Sequence, residues 1–185
     1  MLFALSSIMT VGLAQDRQNF KTLSIGIFGG TTISVPSINK WYSLPNSSAI
    51  EFGSNFWNGY LFLRTEMAEM KSRGIVPSYS DYHCALGYNY TYKFHQQFSW
   101  INSVSIGNAY MVFNETPGAG NLRESEMMMQ LASNIEWRPA YAQWGVSAGA
   151  GWKREFTKTR IDFTNVTIGV RYYFNTPQWF GRVMK

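Results

Sequence analysis

Between Tyr82 and Phe94 every second residue is apolar or aromatic: Tyr82, Cys84, Leu86, Tyr88, Tyr90, Tyr92 and Phe94. The intervening positions hold His83, Ala85, Gly87, Asn89, Thr91 and Lys93, all small or polar. A period of two describes an extended strand with two unlike faces, because successive side chains leave the backbone on opposite sides. No run in the chain approaches the ~18 consecutive apolar residues that a membrane-spanning helix needs.

The same alternation recurs along the chain. Residues 160–174 place Val166, Ile168, Val170, Tyr172 and Phe174 on one face, with Thr164, Asn165, Thr167, Gly169 and Arg171 as polar positions. Residues 142–156 set Trp144, Val146, Ala148, Ala150 and Trp152 against Gln143, Gly145, Ser147, Gly149, Gly151 and Lys153. Residues 125–138 set Met127, Met129, Leu131, Ile135 and Trp137 against Glu126, Gln130, Asn134 and Glu136. Further strands are predicted over 20–32, 48–56, 60–70 and 98–113. Asn58-Gly59, a strong two-residue hairpin signal, joins the second to the third. The segment 98–113 is the least regular. Its apolar face would include Asn102 and Asn108, which calls for a bulge or another choice of face.

Eight strands leave alternating connections. Those near 57–59, 95–97 and 139–141 are tight; those at 33–47, 71–81 and 114–124 are long and rich in Pro, Ser, Asn and Gly; the one near 157–159 is short. Even strand number, alternating loop length and alternating polarity predict an all-β fold, an eight-stranded antiparallel up-and-down transmembrane β-barrel of the bacterial outer membrane. The tight turns would face the periplasm. Aromatic residues make up 17% of the chain. They crowd those turns as Phe56, Trp57, Tyr60, Tyr92, Phe94, Phe98, Trp100, Trp137, Tyr141 and Trp144, as a girdle at headgroup depth would. A soluble β-sandwich or lipocalin-like barrel is the alternative, and it leaves that crowding unexplained.

Residues 1–14, MLFALSSIMTVGLA, read as the apolar part of a signal peptide whose basic n-region is missing. The barrel would then occupy 15–174 and a C-terminal periplasmic tail 175–185. Cys84 is the lone cysteine, so no internal disulfide can form. The net charge of +5 is not gathered on any nucleic-acid-binding pattern, so lipid phosphates are the expected anionic partners and no nucleic acid is.

Closing eight strands leaves a lumen wide enough only for side chains. By phase, Glu51, Glu66, Glu126 and Glu136 point inward with Arg64, Lys93, Lys153 and Arg171, four acids against four bases. A packed polar core is the expectation, a narrow ion-selective path the alternative. Near the outer loops, Arg154, Lys158 and Arg160 are candidates for contact with lipopolysaccharide phosphates. In the tail, Pro177 should stop the last strand. Trp179 and Phe180 beyond it are candidates for contact with the membrane interface or an envelope protein partner.

The leader, the eight alternating strands, the short inner turns and the aromatic final strand, Val166-Thr167-Ile168-Gly169-Val170-Arg171-Tyr172-Tyr173-Phe174, together resemble the small outer-membrane barrels of the OmpA and OmpX type over residues 20–174. The resemblance is architectural, without a diagnostic motif. It implies that the final strand acts in insertion, although here the chain runs eleven residues past Phe174.

Some small barrels are lipid A deacylases, with His and Ser two apart on the outer wall and an acid behind the imidazole. Here His83 is followed by Cys84 and Ala85 and points inward, and His95 lies in a tight turn before Gln96 and Gln97. Asp81 could pair with His83, but no serine is placed for activation. Two distant histidines and one cysteine suggest no transition-metal cluster. Pro117-Gly118-Ala119-Gly120 is a loop tip without the following Lys-Ser/Thr of a phosphate cradle. The expectation is therefore a non-enzymatic outer-membrane barrel in an envelope-structural, adhesion or complex-subunit role, without catalytic residues, cofactor or metal. The alternative is a lipid A-modifying enzyme without a recognised motif.

Overall fold

A computed structural model describes residues 20–36, 38–114, 122–158 and 160–177. The predicted leader, residues 1–14, and the tail residues Trp179 and Phe180 lie outside the described residues. Eight strands run in chain order: β1 (Thr22–Ser34), β2 (Asn46–Phe56), β3 (Gly59–Met70), β4 (Tyr79–Lys93), β5 (Phe98–Phe113), β6 (Arg123–Trp137), β7 (Trp144–Glu155) and β8 (Ile161–Asn175). Each pairs antiparallel with the next, and β8 closes on β1 from Thr22↔Asn175 to Ser34↔Thr164. Closure removes both sheet edges, and with them every unpaired row of backbone donors and acceptors.

Phase decides what each strand shows outside. On β4 Tyr82, Cys84, Leu86, Tyr90 and Tyr92 are exposed, whereas Tyr79, Asp81, His83, Ala85 and Asn89 are buried. The outward wall continues through Ile27, Ile50, Leu63, Val104, Ile106, Leu131, Ile135, Ile168 and Val170. An apolar belt is thus turned outward on all sides, and the polar residues are turned in. At the short-turn end the belt finishes in rings, with Phe56 on Trp57, Phe94 on Phe98, Trp137 on Trp144 and Tyr172 on Phe174. Tyr60, one of the residues expected in that ring, instead turns inward and packs on Tyr173 at 5.8 Å between centroids.

Strand β5 needs neither a bulge nor a change of face. Its register with β4 runs unbroken from Tyr79↔Phe113 to Lys93↔Ser99. Asn102 and Asn108 do point outward, while Ile101, Ala109 and Met111 are buried inside. The inward face of β5 is apolar at its long-loop end, through Ala109 and Met111.

The hairpin between β2 and β3 turns one residue before Asn58-Gly59. Phe56 pairs with Gly59, so Trp57 and Asn58 form the turn, with Trp57 at φ 50°. Gly59 serves a different need. A Cβ there would lie 1.7 Å from the Asn89 carbonyl oxygen, so only glycine lets β3 start this close to β4.

Candidate functional site

The lumen is filled in four layers. Nearest the short turns, Arg171 of β8 reaches across the barrel. Its Nη2 donates to Glu51 Oε1 of β2 at 2.6 Å and its Nη1 to Glu136 Oε2 of β6 at 3.0 Å. The Tyr173 hydroxyl donates to Glu136 Oε1 at 2.7 Å, and the Arg138 guanidinium stacks over the Tyr173 ring at 4.5 Å. Arg64 of β3 connects this layer to the next, with Nη1 4.0 Å from Glu51 and Nη2 bonded to Glu66 at 2.9 Å. Both guanidiniums lie over the ring of Phe28, Arg64 at 5.2 Å and Arg171 at 5.4 Å. Such contacts add roughly 0.5–2 kcal/mol each, the larger value where water is excluded. Phe28 has room because Gly26 and Gly169 flank it; a Cβ on Gly169 would meet Phe28 Cδ1 at 2.2 Å.

A small polar chamber follows, lined by Ser105, Gln130, Ser147, Asn165 and Thr167 among others. Its free volume is about 20 Å³, enough for a single water.

Beyond the chamber lies a second charged cluster. His83 Nε2 is 2.8 Å from Asp81 Oδ2 and 3.1 Å from Glu155 Oε1. Lys153 Nζ lies 3.3 Å from His83 Nδ1, 3.4 Å from Glu155 and 3.8 Å from Glu66. All five side chains are buried. The long-loop end then closes with apolar side chains, Val35, Met70, Tyr79, Met111, Met128 and Phe163. The β1–β2 loop folds over them. Tyr42 packs edge-on against Tyr79 at 5.3 Å and donates to the Pro77 carbonyl at 3.1 Å, and partial burial pushes its phenol up.

Of the residues expected in the lumen, Glu51, Glu66, Glu136, Arg64, Lys153 and Arg171 are brought together. Lys93 stands apart, exposed at the short-turn mouth at the last position of β4. Glu126 is half-buried near the opposite end, opposite Ala109, and joins none of these pairs. Phase placed both inward, but each sits too near a strand end to reach the packed middle. The expected pairing of Asp81 with His83 is present at 2.8 Å, whereas Glu155 lies outside the expected network. Asp81-x-His83 and Lys153-x-Glu155 carried the signal, since residues two apart on a strand share a face.

At the long-loop rim Arg154 is engaged. It points outward over Trp152 and forms a two-pronged pair with Asp162, Nε to Oδ1 at 2.7 Å and Nη2 to Oδ2 at 3.0 Å. Lys158 and Arg160 are exposed beside it. His83 is sealed inside the barrel and His95 lies in the exposed β4–β5 turn, so neither imidazole meets a serine on the outward wall.

The apolar belt, the closed eight-stranded order and the filled lumen together decide the architecture. The fold is that of the small eight-stranded outer-membrane barrels. No protein-family model and no curated protein sequence matches the chain. Solved structures do. Neisserial surface protein A superposes with a TM-score of 0.66 at 9% identity, over 83% of this chain and 96% of that one. The N-terminal β-barrel domain of Pseudomonas aeruginosa OprF gives 0.54 at 11% identity, over 85% and 100%. Ail, the attachment invasion locus protein of Yersinia pestis, in complex with the heparin analogue sucrose octasulfate, gives 0.53 at 11% identity, over 83% and 99%. At such identities the likeness is one of fold.

Proposed function

We propose that this chain is a non-enzymatic integral protein of the bacterial outer membrane that works at its rim, in envelope integrity or attachment. One observation carries the reading: an apolar belt turned outward around a lumen with room for a single water. The belt suits acyl chains, and the aromatic rings at the short turns suit the headgroups of the periplasmic leaflet. What the cell can use is then the long-loop end. Lys40, Arg73, Arg123, Lys158 and Arg160 are all exposed there.

Lys158 and Arg160 are the favoured contacts for lipopolysaccharide phosphates through charge-assisted hydrogen bonds, because both are exposed while Arg154 is held by Asp162. Ail, of the same fold, has been solved holding a polysulfated sugar, which supports a rim suited to anionic saccharides. A deacylase-like reaction through His83 is disfavoured, since its buried imidazole does not reach the outward wall.

The test is lipopolysaccharide carried by the folded barrel through mixed-micelle chromatography. Lys158→Gln with Arg160→Gln should lower it several-fold at low salt, and the deficit should shrink at high salt as screening weakens the wild-type contact. Equal retention by variant and wild type at low salt would leave these two residues without that role.

A further inference from the structure

The buried lumen does not balance its charge. Glu51, Glu66, Asp81, Glu136 and Glu155 face Arg64, Lys153 and Arg171, five carboxylates against three permanent cations among the described residues. Nearest the short turns Glu51 and Glu136 face Arg171, and Arg64 is shared between the clusters, 4.0 Å from Glu51 and 2.9 Å from Glu66. In the other cluster Glu66, Asp81 and Glu155 have Lys153 and the shared Arg64 as permanent cations, so with a neutral His83 the two clusters together keep two negative charges over. Burying uncompensated charge costs several kcal/mol per ion even after relaxation.

Two oxygens of this cluster have no hydrogen-bond partner. Asp81 Oδ1 and Glu155 Oε2 are both cut off from solvent and unpaired. Buried carboxylate oxygens in that condition are rare in native proteins and point to an ion or water. Meanwhile one imidazole nitrogen and one oxygen from each carboxylate lie within 4.8 Å of one another. The separations of 2.8 Å and 3.1 Å from His83 Nε2 are close to the ~3.3 Å edge of a tetrahedral site with bonds of ~2.0 Å.

From these three observations we propose that Asp81, His83 and Glu155 form a binding site for one divalent transition-metal ion of the zinc type, inside the barrel. Mixed nitrogen and oxygen donors suit a borderline ion better than Ca²⁺ or Mg²⁺, which favour all-oxygen shells. A charge of two closes the count with neutral imidazole. The Lys153 ammonium, 3.2 Å from the same His83 Nε2 and 3.4 Å from Glu155, is displaced by the ion toward Glu66, 3.8 Å from Nζ. Glu66 or a water completes the coordination. The apolar closure by Met70, Tyr79, Met111, Met128 and Phe163 covers the site, so the ion enters as the barrel folds and exchanges slowly afterwards.

The test refolds the urea-denatured chain into detergent micelles with Zn²⁺, strips free metal on a chelating resin, and measures zinc per folded chain. One ion per chain is expected for wild type and for Glu136→Gln, which alters the other cluster. None is expected for Asp81→Asn with Glu155→Gln. A fall in folding yield of that pair is bypassed by His83→Gln against His95→Gln, with only the first losing the ion. Co²⁺ in place of Zn²⁺ should give the intense visible bands of a tetrahedral site in wild type. Zinc retained equally by the variants, or absent from folded wild type, would overturn the proposal.

Discussion

Arg171 shows how one side chain can hold a barrel's interior together. It is buried on β8 and bonds to β2 and β6, so three strands far apart around the wall meet at one guanidinium. The planar fork of arginine suits two carboxylates at once, which a lysine ammonium would bind without fixed direction. Arg171→Met would leave Glu51 and Glu136 buried with little compensation. The expected loss is about 3–5 kcal/mol, since breaking a buried pair from one side strands the other charge. Glu136→Gln in the same background should recover part of it by removing one of the stranded charges. The checks are denaturant unfolding in micelles and the folded fraction seen by heat-modifiable gel migration. A loss for Arg171→Met no larger than that for a surface arginine would mean that the pair is solvated.

At the level of single elements, the β2–β3 hairpin separates two roles that a two-residue Asn58-Gly59 turn would combine. Trp57 takes the left-handed backbone conformation, and Gly59 provides close approach to Asn89. Gly59→Ala should therefore cost about 2 kcal/mol through overpacking, although φ is not at issue there. Denaturant unfolding against a Gly74→Ala control, where a Cβ meets nothing within 4 Å, measures it. Equal stability of the two variants would contradict the close contact.

The strands themselves were legible because alternation is a local property, and all eight could be read to within a few residues. Which inward residues meet was not, because that depends on register and stagger around the closed sheet: Arg171 and Glu51 are 120 positions apart. Lys93 and Glu126 have the right phase but the wrong height along the axis. The apolar closure by Met70, Tyr79, Met111, Met128 and Phe163 went unread for a different reason. Inward positions were expected to be polar throughout, while a lumen this narrow can also be filled like a protein core.

On the scale of the whole molecule, the barrel is a solid peg in an apolar sleeve. Its outward wall is apolar, and its inward charges pair with partners drawn from six strands, β2 to β4 and β6 to β8. Its long connections, with their exposed charged side chains, lie at one end. A membrane-spanning barrel requires one sense of the alternation, with even-numbered β4 side chains in lipid and odd-numbered ones in the lumen. Nitroxide labels placed singly from Tyr82 to Tyr92, in a Cys84→Ser background and in bilayers, read that sense directly through collisions with dissolved oxygen, which concentrates among acyl chains. Accessibility should rise at 82, 84, 86, 88, 90 and 92 and fall at 83, 85, 87, 89 and 91. A flat profile, or one with the opposite phase, would contradict the membrane-spanning barrel described here.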